Sequence, residues 1–199
     1  MIPTVDGLNE VSLTNDRAVF LDRDGTINVE KEYLHRPEEF EFIPGAPEAI
    51  RLLRSAGFRV IVVTNQSGVA RGYYDEEAVT TLHRHLDAEL ARLNTGVDAY
   101  YFCPHHPQEG VGAYRTDCDC RKPLPGMLFQ ATRDFSLDLA GSYIIGDKVA
   151  DVEAGLAAGC RPVLVRTGYG RADSSRIPAG VPVYDDLLAA ARAIIGGRV

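Results

Sequence analysis

Short apolar runs alternate with longer amphipathic segments along this chain. The short runs are typical of buried strands, and they occupy Ala18 to Leu21, Val60 to Val63, Ala99 to Phe102, Tyr143 to Ile145 and Pro162 to Val165. Between most of them, apolar residues recur at helical spacing, which predicts helices over Ala49 to Ala56, Asp75 to Leu93, Pro125 to Phe135, Val149 to Ala158 and Asp185 to Ile195. This alternation predicts a Rossmann-like α/β fold in which helices cover both faces of a parallel sheet.

Two helix ends carry signals of their own. Asp75 precedes the second helix, and an aspartate at that position accepts hydrogen bonds from N–H groups of the first turn. Gly57 follows the first helix, as glycine often does at a helix C-terminus. The apolar face predicted for the second helix consists of Val79, Leu82, His83, Leu86, Leu90 and Leu93.

Polar residues follow four of the predicted strands. Asp22 to Thr26 come after the first strand, Thr64 and Asn65 after the second, Cys103 after the third, and Gly146 to Lys148 after the fourth. Ligands bind beyond the carboxyl ends of the strands in open parallel sheets. We therefore expect these groups to converge on one site.

The composition indicates one globular domain. Of 199 residues, 45% are hydrophobic and 25% charged, so we expect a domain over residues 17–199 after an N-terminal arm of residues 1–16. The net charge of −7 argues against a broad nucleic-acid-binding surface. No apolar run is long enough to span a bilayer, and the N-terminus lacks the pattern of a secretion signal. We expect a cytoplasmic monomer that binds neither nucleic acid nor membrane.

Asp22 and Asp24 lie two residues apart where the first strand enters a glycine turn. One carboxylate can attack phosphorus, while the other protonates the departing oxygen and later takes a proton from water. An ordinary aspartate-rich turn or a calcium loop would also contain such a pair. The further ligands of a calcium loop are absent from the sequence that follows.

Asp147 repeats the pattern of strand, glycine and acid. Together with Asp22 it could bind Mg²⁺, which prefers oxygen ligands and retains water. Asp151 could support that metal or stabilise a helix N-terminus. Thr64 and Asn65 could donate hydrogen bonds to a phosphoryl group or cap the strand end.

Lysine is rare in this sequence, with only Lys31, Lys122 and Lys148 among 21 basic residues. A compact ammonium group suits contact with a phosphoryl oxygen or a carboxylate. Lys122 could therefore neutralise the negative charge that Asp22 shares with a bound phosphoryl group. A surface position by chance is the alternative for any one lysine.

Cys103, His105, Cys118 and Cys120 form a Cys-x-His and Cys-x-Cys pattern separated by twelve residues. Three thiolates and one imidazole suit a structural, tetrahedral zinc ion. A disulfide and ligation by His106 instead of His105 are the alternatives. The zinc would order a loop over residues 103–120 and fix the adjoining Arg121 and Lys122, whereas Cys160 is expected to be a core residue.

The motifs Asp22-x-Asp24-Gly25-Thr26, Thr64, Lys122 and Gly146-Asp147-x-x-x-Asp151 resemble the four motifs of the haloacid dehalogenase superfamily. The resemblance covers roughly Arg17 to Gly168. It implies a magnesium-dependent phosphatase with Asp22 as nucleophile, Asp24 as acid/base, and Thr64 and Lys122 as further catalytic residues. It also implies magnesium ligands on Asp22, the Asp24 carbonyl and Asp147.

The same motifs together with the zinc loop resemble the D-glycero-D-manno-heptose 1,7-bisphosphate 7-phosphatases, bacterial enzymes of lipopolysaccharide or glycoprotein heptose synthesis that lack a large cap domain. The resemblance implies a sugar bisphosphate as substrate, with Arg121 on the distal phosphate. The implied substrate contacts are Glu30, Lys31, Glu32, Tyr33, Thr64, Asn65, Gln66, Ser67, Arg121, Lys122 and Lys148.

Other functions fit parts of the same pattern. Histidinol-phosphate phosphatases resemble this chain in the aspartates and the zinc ligands, but their zinc loop is usually shorter than the one here. A non-catalytic phosphate- or zinc-binding module would not need intact Asp22, Asp24, Lys122 and Asp147. In a zinc-organised interaction domain, changes to the aspartates would have no effect.

Overall fold

The computed structural model describes residues 16–199. The arm proposed for residues 1–16 therefore lies outside the described residues, apart from Asp16. None of the helices in the described part of the chain has the length and apolar character that a membrane span requires.

Six parallel strands form one sheet in the order β3-β2-β1-β4-β5-β6. The strands are β1 (Ala18–Leu21), β2 (Arg59–Asn65), β3 (Ala99–Cys103), β4 (Tyr143–Gly146), β5 (Arg161–Val165) and β6 (Val183–Tyr184). The first five confirm the predicted strands with small shifts of their ends, whereas β6 was not predicted. The strand order reverses at β1, between β2 and β4, which is where ligands bind in doubly wound sheets.

Seven helices connect and follow these strands in residues 16–199. They are α1 (Ala46–Ser55), α2 (Ser67–Ala70), α3 (Glu76–Arg92), α4 (Gly126–Phe135), α5 (Val149–Ala158), α6 (Gly170–Asp173) and α7 (Leu187–Ile195). The five longer helices confirm the predictions. The short helices α2 and α6 were not predicted.

Side chains of the sheet alternate between two hydrophobic cores. Along β1, Val19 and Leu21 belong to a core that also contains residues of α1, α3 and α7. Ala18 and Phe20 belong to a second core with residues of α4 and α5. Both faces of the sheet are thus covered by helices, and β1 is buried throughout.

The second predicted helix shows one correct and one wrong detail. Asp75 is its N-cap and accepts a hydrogen bond from the backbone N–H of Ala78 at 2.9 Å, as predicted. Leu93 was placed on its apolar face, but it is the C-cap residue of α3 and is 51% exposed. Helix α3 ends at Arg92, so Leu93 lies outside its regular turns.

The connection from β3 to α4 contains little regular structure. Its one element is a 3-10 turn over Gly112–Tyr114. This connection leaves the carboxyl end of β3, which is an edge strand of the sheet. In the described chain all strands belong to one sheet, and no separate cap domain is present.

Candidate active site

Three buried carboxylates meet where β1 and β4 end. Asp22 follows β1, Asp147 follows β4 and Asp151 lies in the first turn of α5. Their oxygens lie within 4.8 Å of one another. A Cβ atom on Gly25 would lie only 2.3 Å from Asp147 Oδ2, so glycine is required beside this cluster.

Lys122 is the cation that contacts this cluster directly. Its Nζ lies 2.5 Å from Asp151 Oδ1 and 3.0 Å from Asp22 Oδ1, and it donates a hydrogen bond to the carbonyl of Val63 at 2.7 Å. Burial alone would lower the pKa of Lys122, but the charges of Asp151 and Asp22 outweigh burial and raise it. The group is therefore a buried ammonium at neutral pH.

Asp147 has an oxygen that the protein leaves unpaired. Its Oδ2 accepts a hydrogen bond from the backbone N–H of Tyr169 at 2.8 Å, whereas its buried Oδ1 has no partner in residues 16–199. Burial, reinforced by the charge of Asp22, raises the pKa of Asp147 to about 8. A divalent cation beside Oδ1 would satisfy that oxygen and favour the ionised carboxylate.

The remaining oxygens fit the same metal. Asp22 Oδ1 is engaged by Lys122 and by the backbone N–H of Arg23 at 2.8 Å, but Asp22 Oδ2 makes no hydrogen bond within residues 16–199. The Asp24 carbonyl also accepts none from the described residues. An all-oxygen set with room for water is what Mg²⁺ prefers.

Asp151 is fully engaged by the protein. Its Oδ1 contacts Lys122, and its Oδ2 accepts the backbone N–H of Lys148 at 3.0 Å at the start of α5. The contact with the start of α5 confirms the helix-stabilising interpretation of Asp151, whereas support of a bound metal stays a prediction. Because neither of its carboxylate oxygens is free, Asp151 is less suited than Asp22 and Asp147 to bind a metal ion directly.

The Asp24 carboxylate lies in a cage of donors. Arg23 Nη2 lies 2.9 Å from Asp24 Oδ2, and Asn28 Nδ2 donates to Asp24 Oδ1 at 2.9 Å. Burial would raise the pKa of Asp24, but the charge of Arg23 and the hydrogen bonds from Asn28 and Gln66 outweigh it and lower the pKa. The carboxyl group is therefore ionised in this arrangement.

Arg23 is an unexpected buried residue of the site. It is 0% exposed, and its guanidinium also lies 3.3 Å from His83 Nε2 and 3.2 Å from the carbonyl of Leu34. Burial and the charge of Arg23 lower the pKa of His83 to about 3, so the imidazole is neutral. The sequence offered no local signal for this network, because Arg23 and His83 are far apart in the chain.

Residues after β2 position other site residues. Asn65 Nδ2 donates to the carbonyl of Lys122 at 2.9 Å, and Asn65 Oδ1 accepts the Lys122 backbone N–H at 3.0 Å. Thr64 Oγ1 accepts a hydrogen bond from Gln66 Nε2 at 2.9 Å. Ser67 Oγ accepts one from Arg121 Nη2 at 3.0 Å. The amide of Asn65 thus holds the backbone that carries Lys122.

The four predicted zinc ligands form a second cluster. The sulfurs of Cys103, Cys118 and Cys120 lie 3.1–3.5 Å from one another, and His105 Nδ1 lies 3.6 Å from the sulfur of Cys120. Thiolates bound to tetrahedral zinc are roughly 3.8 Å apart. All four cysteines of the chain, including Cys160, are free thiols, so the disulfide alternative is wrong.

The thiols of this cluster need a cation to ionise. Burial raises the pKa of Cys118, and the hydrogen bond to Cys103 raises that of Cys120. Three thiolates and one imidazole are a donor set typical of zinc. The cluster is therefore compatible with zinc.

His106 and Cys160 are not part of this cluster. His106 Nδ1 accepts the backbone N–H of Glu109 at 3.0 Å, so it caps a turn instead of replacing His105. Cys160 is buried in the core beside α4 and α5, as predicted.

A cavity of about 730 Å³ lies at the carboxylate cluster and is lined in part by Asp22, Asp24, Lys122 and Asp151. Its volume suits a small-molecule ligand. It is lined by all predicted substrate contacts except Lys31, whose Nζ instead donates to the carbonyl of Glu39 at 2.8 Å and pairs with Glu41 at 3.2 Å. Lys31 therefore does not line this cavity, and its contact with substrate stays a prediction. Lys148 does line it, with its Nζ 3.2 Å from Glu30 Oε2.

The loop before the first helix contributes part of the cavity wall. Glu32 and Tyr33 have positive φ angles of 44° and 56°, which are uncommon for residues other than glycine. Such conformations are found at functional loops held by their surroundings. Here the ring of Tyr33 packs edge-on against Tyr73 at 4.9 Å.

The fold and the carboxylate site define a haloacid dehalogenase-like hydrolase. Two family models agree: one described as haloacid dehalogenase-like hydrolase matches residues 19–106, and one described as HAD-hydrolase-like matches residues 119–190. Together they span the carboxyl ends of β1 to β5.

Closer relatives narrow the family. The chain is 49% identical over 152 residues to the D-glycero-beta-D-manno-heptose-1,7-bisphosphate 7-phosphatase of Yersinia pestis, covering 76% of this chain and 81% of that protein. It is 51% identical to the enzyme of the same name from Escherichia coli K12, over 76% of this chain and 80% of that protein. This chain belongs to the D-glycero-D-manno-heptose 1,7-bisphosphate 7-phosphatase family.

Solved structures agree with this assignment. A D,D-heptose 1,7-bisphosphate phosphatase from B. bronchiseptica, complexed with magnesium and phosphate, is similar with a TM-score of 0.82 and 38% identity. The similarity covers 91% of this chain and 99% of that one. A D,D-heptose 1,7-bisphosphate phosphatase from Burkholderia thailandensis has a TM-score of 0.68 and 33% identity, covering 90% of this chain and 99% of that one.

Proposed function

We propose that this protein hydrolyses the 7-phosphate of D-glycero-D-manno-heptose 1,7-bisphosphate through an aspartyl-phosphate on Asp22. The products are heptose 1-phosphate and inorganic phosphate. The observation that carries the proposal is the buried Asp22 carboxylate, which keeps one oxygen without a hydrogen bond from residues 16–199 and lines the cavity. The relatives that act on this substrate support its identity.

In the first step, an oxygen of the Asp22 carboxylate attacks the phosphorus atom of the 7-phosphate and the bond from phosphorus to the sugar oxygen breaks. Lys122, at 3.0 Å from Asp22 Oδ1, stabilises the charge that develops on the phosphoryl oxygens. Asp24 gives its proton to the departing sugar oxygen. Because Arg23 holds Asp24 as a carboxylate, Asp24 must first take up that proton from solvent as substrate binds.

In the second step, water attacks phosphorus and the bond between phosphorus and the Asp22 carboxylate breaks. Asp24 takes the proton from this water, a role for which its ionised state is already suited. Thr64 lines the same cavity and donates a hydrogen bond to a phosphoryl oxygen. Asn65 acts through the backbone of Lys122, which it holds at two points.

Asp22, the Asp24 carbonyl and Asp147 would hold Mg²⁺. Bound there, the ion supplies positive charge that offsets the repulsion between an anionic phosphoryl group and the carboxylates. The unpaired Oδ1 of Asp147 supports this assignment most directly.

Cys103, His105, Cys118 and Cys120 would hold a structural zinc ion. Cys120 directly precedes Arg121 and Lys122, and Arg121 Nη1 donates to the carbonyl of His105 at 3.0 Å. Zinc would therefore fix both cations against the cavity by ordering the loop that carries them. We infer a monomeric, cytoplasmic enzyme; the free thiols of the proposed zinc site support the cytoplasmic location, because thiols stay reduced in that compartment.

The assay that tests the substrate compares kcat/KM for heptose 1,7-bisphosphate, fructose 1,6-bisphosphate and histidinol phosphate. We expect a clear preference for the heptose bisphosphate. A large preference for histidinol phosphate would overturn the substrate while leaving the chemistry intact. Absence of phosphate release from all three and from an aryl phosphate would indicate a binding module.

A further inference from the structure

Arg71 is a cation of the cavity wall that the reaction described above does not use. It follows α2, and its backbone N–H donates to the carbonyl of Ser67 at 3.0 Å. Ser67 also accepts the hydrogen bond from Arg121 Nη2. The short helix α2 therefore brings two guanidinium groups, Arg71 and Arg121, to the same wall of the cavity.

The two arginines have hydrogen-bond donors to spare. Arg71 Nε is buried and has no partner among residues 16–199, although arginine offers five N–H donors. Arg121 donates to two neutral oxygens, those of Ser67 and the His105 carbonyl, and forms no ion pair with the described residues.

The opposite wall carries cations that are already paired. Lys148 lies 3.2 Å from Glu30 Oε2, and Arg176 lies 2.9 Å from Asp173 Oδ1. Both carboxylates line the same cavity. An anionic group of the substrate would meet carboxylates on that side, whereas the side of Arg71 and Arg121 offers unused donors.

The acid that contacts Arg71 is easily displaced. Glu109 pairs with Arg71 from the zinc loop, and its side chain is 46% exposed. An exposed pair of this kind contributes at most about 1 kcal/mol. Arg71 also lies over the ring of Tyr33, 5.6 Å from its centre, so its guanidinium is stacked and oriented.

We propose that Arg71 is a specificity-determining residue: with Arg121 it binds the phosphate of the substrate that is not hydrolysed, and Glu109 occupies it until that phosphate arrives. This inference rests on the proposed function. Arg71 would attract the distal phosphate, whereas Glu109 would compete with it for Arg71. Removing the charge of Arg71 should therefore weaken the preference for a substrate with a distal phosphate, and removing the charge of Glu109 should strengthen it.

The test compares two substrates that differ only in the distal group, heptose 1,7-bisphosphate and heptose 7-phosphate. The quantity measured is the ratio of their kcat/KM values. Arg71→Met is expected to lower this ratio roughly tenfold to hundredfold, the range for losing a charge-assisted hydrogen bond. Glu109→Gln is expected to raise it, by up to about fivefold.

Arg176→Met is the matched control, because it removes an arginine from the opposite wall of the same cavity. It is expected to leave the ratio within about twofold of the wild type. Thermal unfolding of each variant separates lost binding from lost folding. General destabilisation would lower kcat/KM for both substrates together and leave their ratio unchanged. It could not make the ratio fall in Arg71→Met and rise in Glu109→Gln.

The inference is overturned if the ratio in Arg71→Met stays at the wild-type value, or if Arg176→Met lowers it instead. A fall of the ratio in Glu109→Gln like that in Arg71→Met would also overturn it, since the pair would then be structural. These outcomes require an active wild type. A wild type inactive on both compounds would refute the proposed function, and with it the role of Arg71.

Discussion

Replacing Lys122 by methionine would remove the ammonium group from the carboxylate cluster while keeping an unbranched side chain of similar length. The group lost lies 2.5 Å from Asp151 and 3.0 Å from Asp22. All three side chains are at least 93% buried, so solvent cannot replace the missing charge. Removing one partner of a buried ion pair costs about 3–5 kcal/mol, and we expect a loss in that range.

The pH dependence of this loss follows from the carboxylates. The pKa of Lys122 is raised, so the lysine stays protonated from pH 5 to pH 8 and its own titration contributes no change of stability in that range. Burial raises the pKa of Asp151, and loss of Lys122 would raise it further. A folded-state pKa above the unfolded value makes stability fall as pH rises. The deficit of the variant should therefore be smaller at pH 5 than at pH 8.

Urea unfolding without added magnesium measures both quantities, and Lys31→Met is the matched control. Lys31 pairs with an exposed glutamate, so the same substitution there should cost less than about 1 kcal/mol. A loss of similar size in the two variants would refute the reasoning. So would a deficit for Lys122→Met that did not change between pH 5 and pH 8.

Three further predictions concern the metals and the support of Lys122. The pKa of Asp147 is raised to about 8, so the free energy of unfolding without magnesium should fall as pH rises from about 4 to about 8. Added Mg²⁺ should therefore raise Tm more at pH 8 than at pH 5. An equal rise at both pH values would contradict Asp147 as a magnesium ligand. Cys118→Ser should lose both zinc and aryl-phosphate turnover, whereas Cys160→Ala should keep zinc. Full turnover in zinc-free Cys118→Ser would show that the zinc loop is not needed to position Arg121 and Lys122. Asn65→Ala should lower kcat roughly tenfold with zinc retained, and unchanged kcat would show that its two bonds to Lys122 are dispensable.

The sequence was informative wherever structure depends on neighbours in the chain. The cap at Asp75 and the buried strand before Asp22 follow from local composition and periodicity, and both are confirmed. Four strands that end in polar groups also predicted where the cavity would be, because parallel strands share one carboxyl edge. The two residues of β6 and the four of α2 are too short to leave a periodic pattern.

Contacts between distant segments were not predictable in the same way. The burial of Arg23, which follows β1, depends on His83 of helix α3 and on the Leu34 carbonyl. Lys31 is next to Glu30 in sequence, but its side chain contacts Glu39 and Glu41 outside the main cavity. Only the folded loop determines which of two adjacent side chains lines the site.

The central claim is that Asp22 forms a covalent bond to phosphorus. The direct measurement quenches the enzyme with acid during turnover, reduces the acyl phosphate with borohydride and sequences the peptide that contains residue 22. We predict homoserine at position 22, in amounts that depend on the presence of substrate. An unmodified Asp22 during active turnover, with the reduced residue at another carboxylate or at none, would contradict the account.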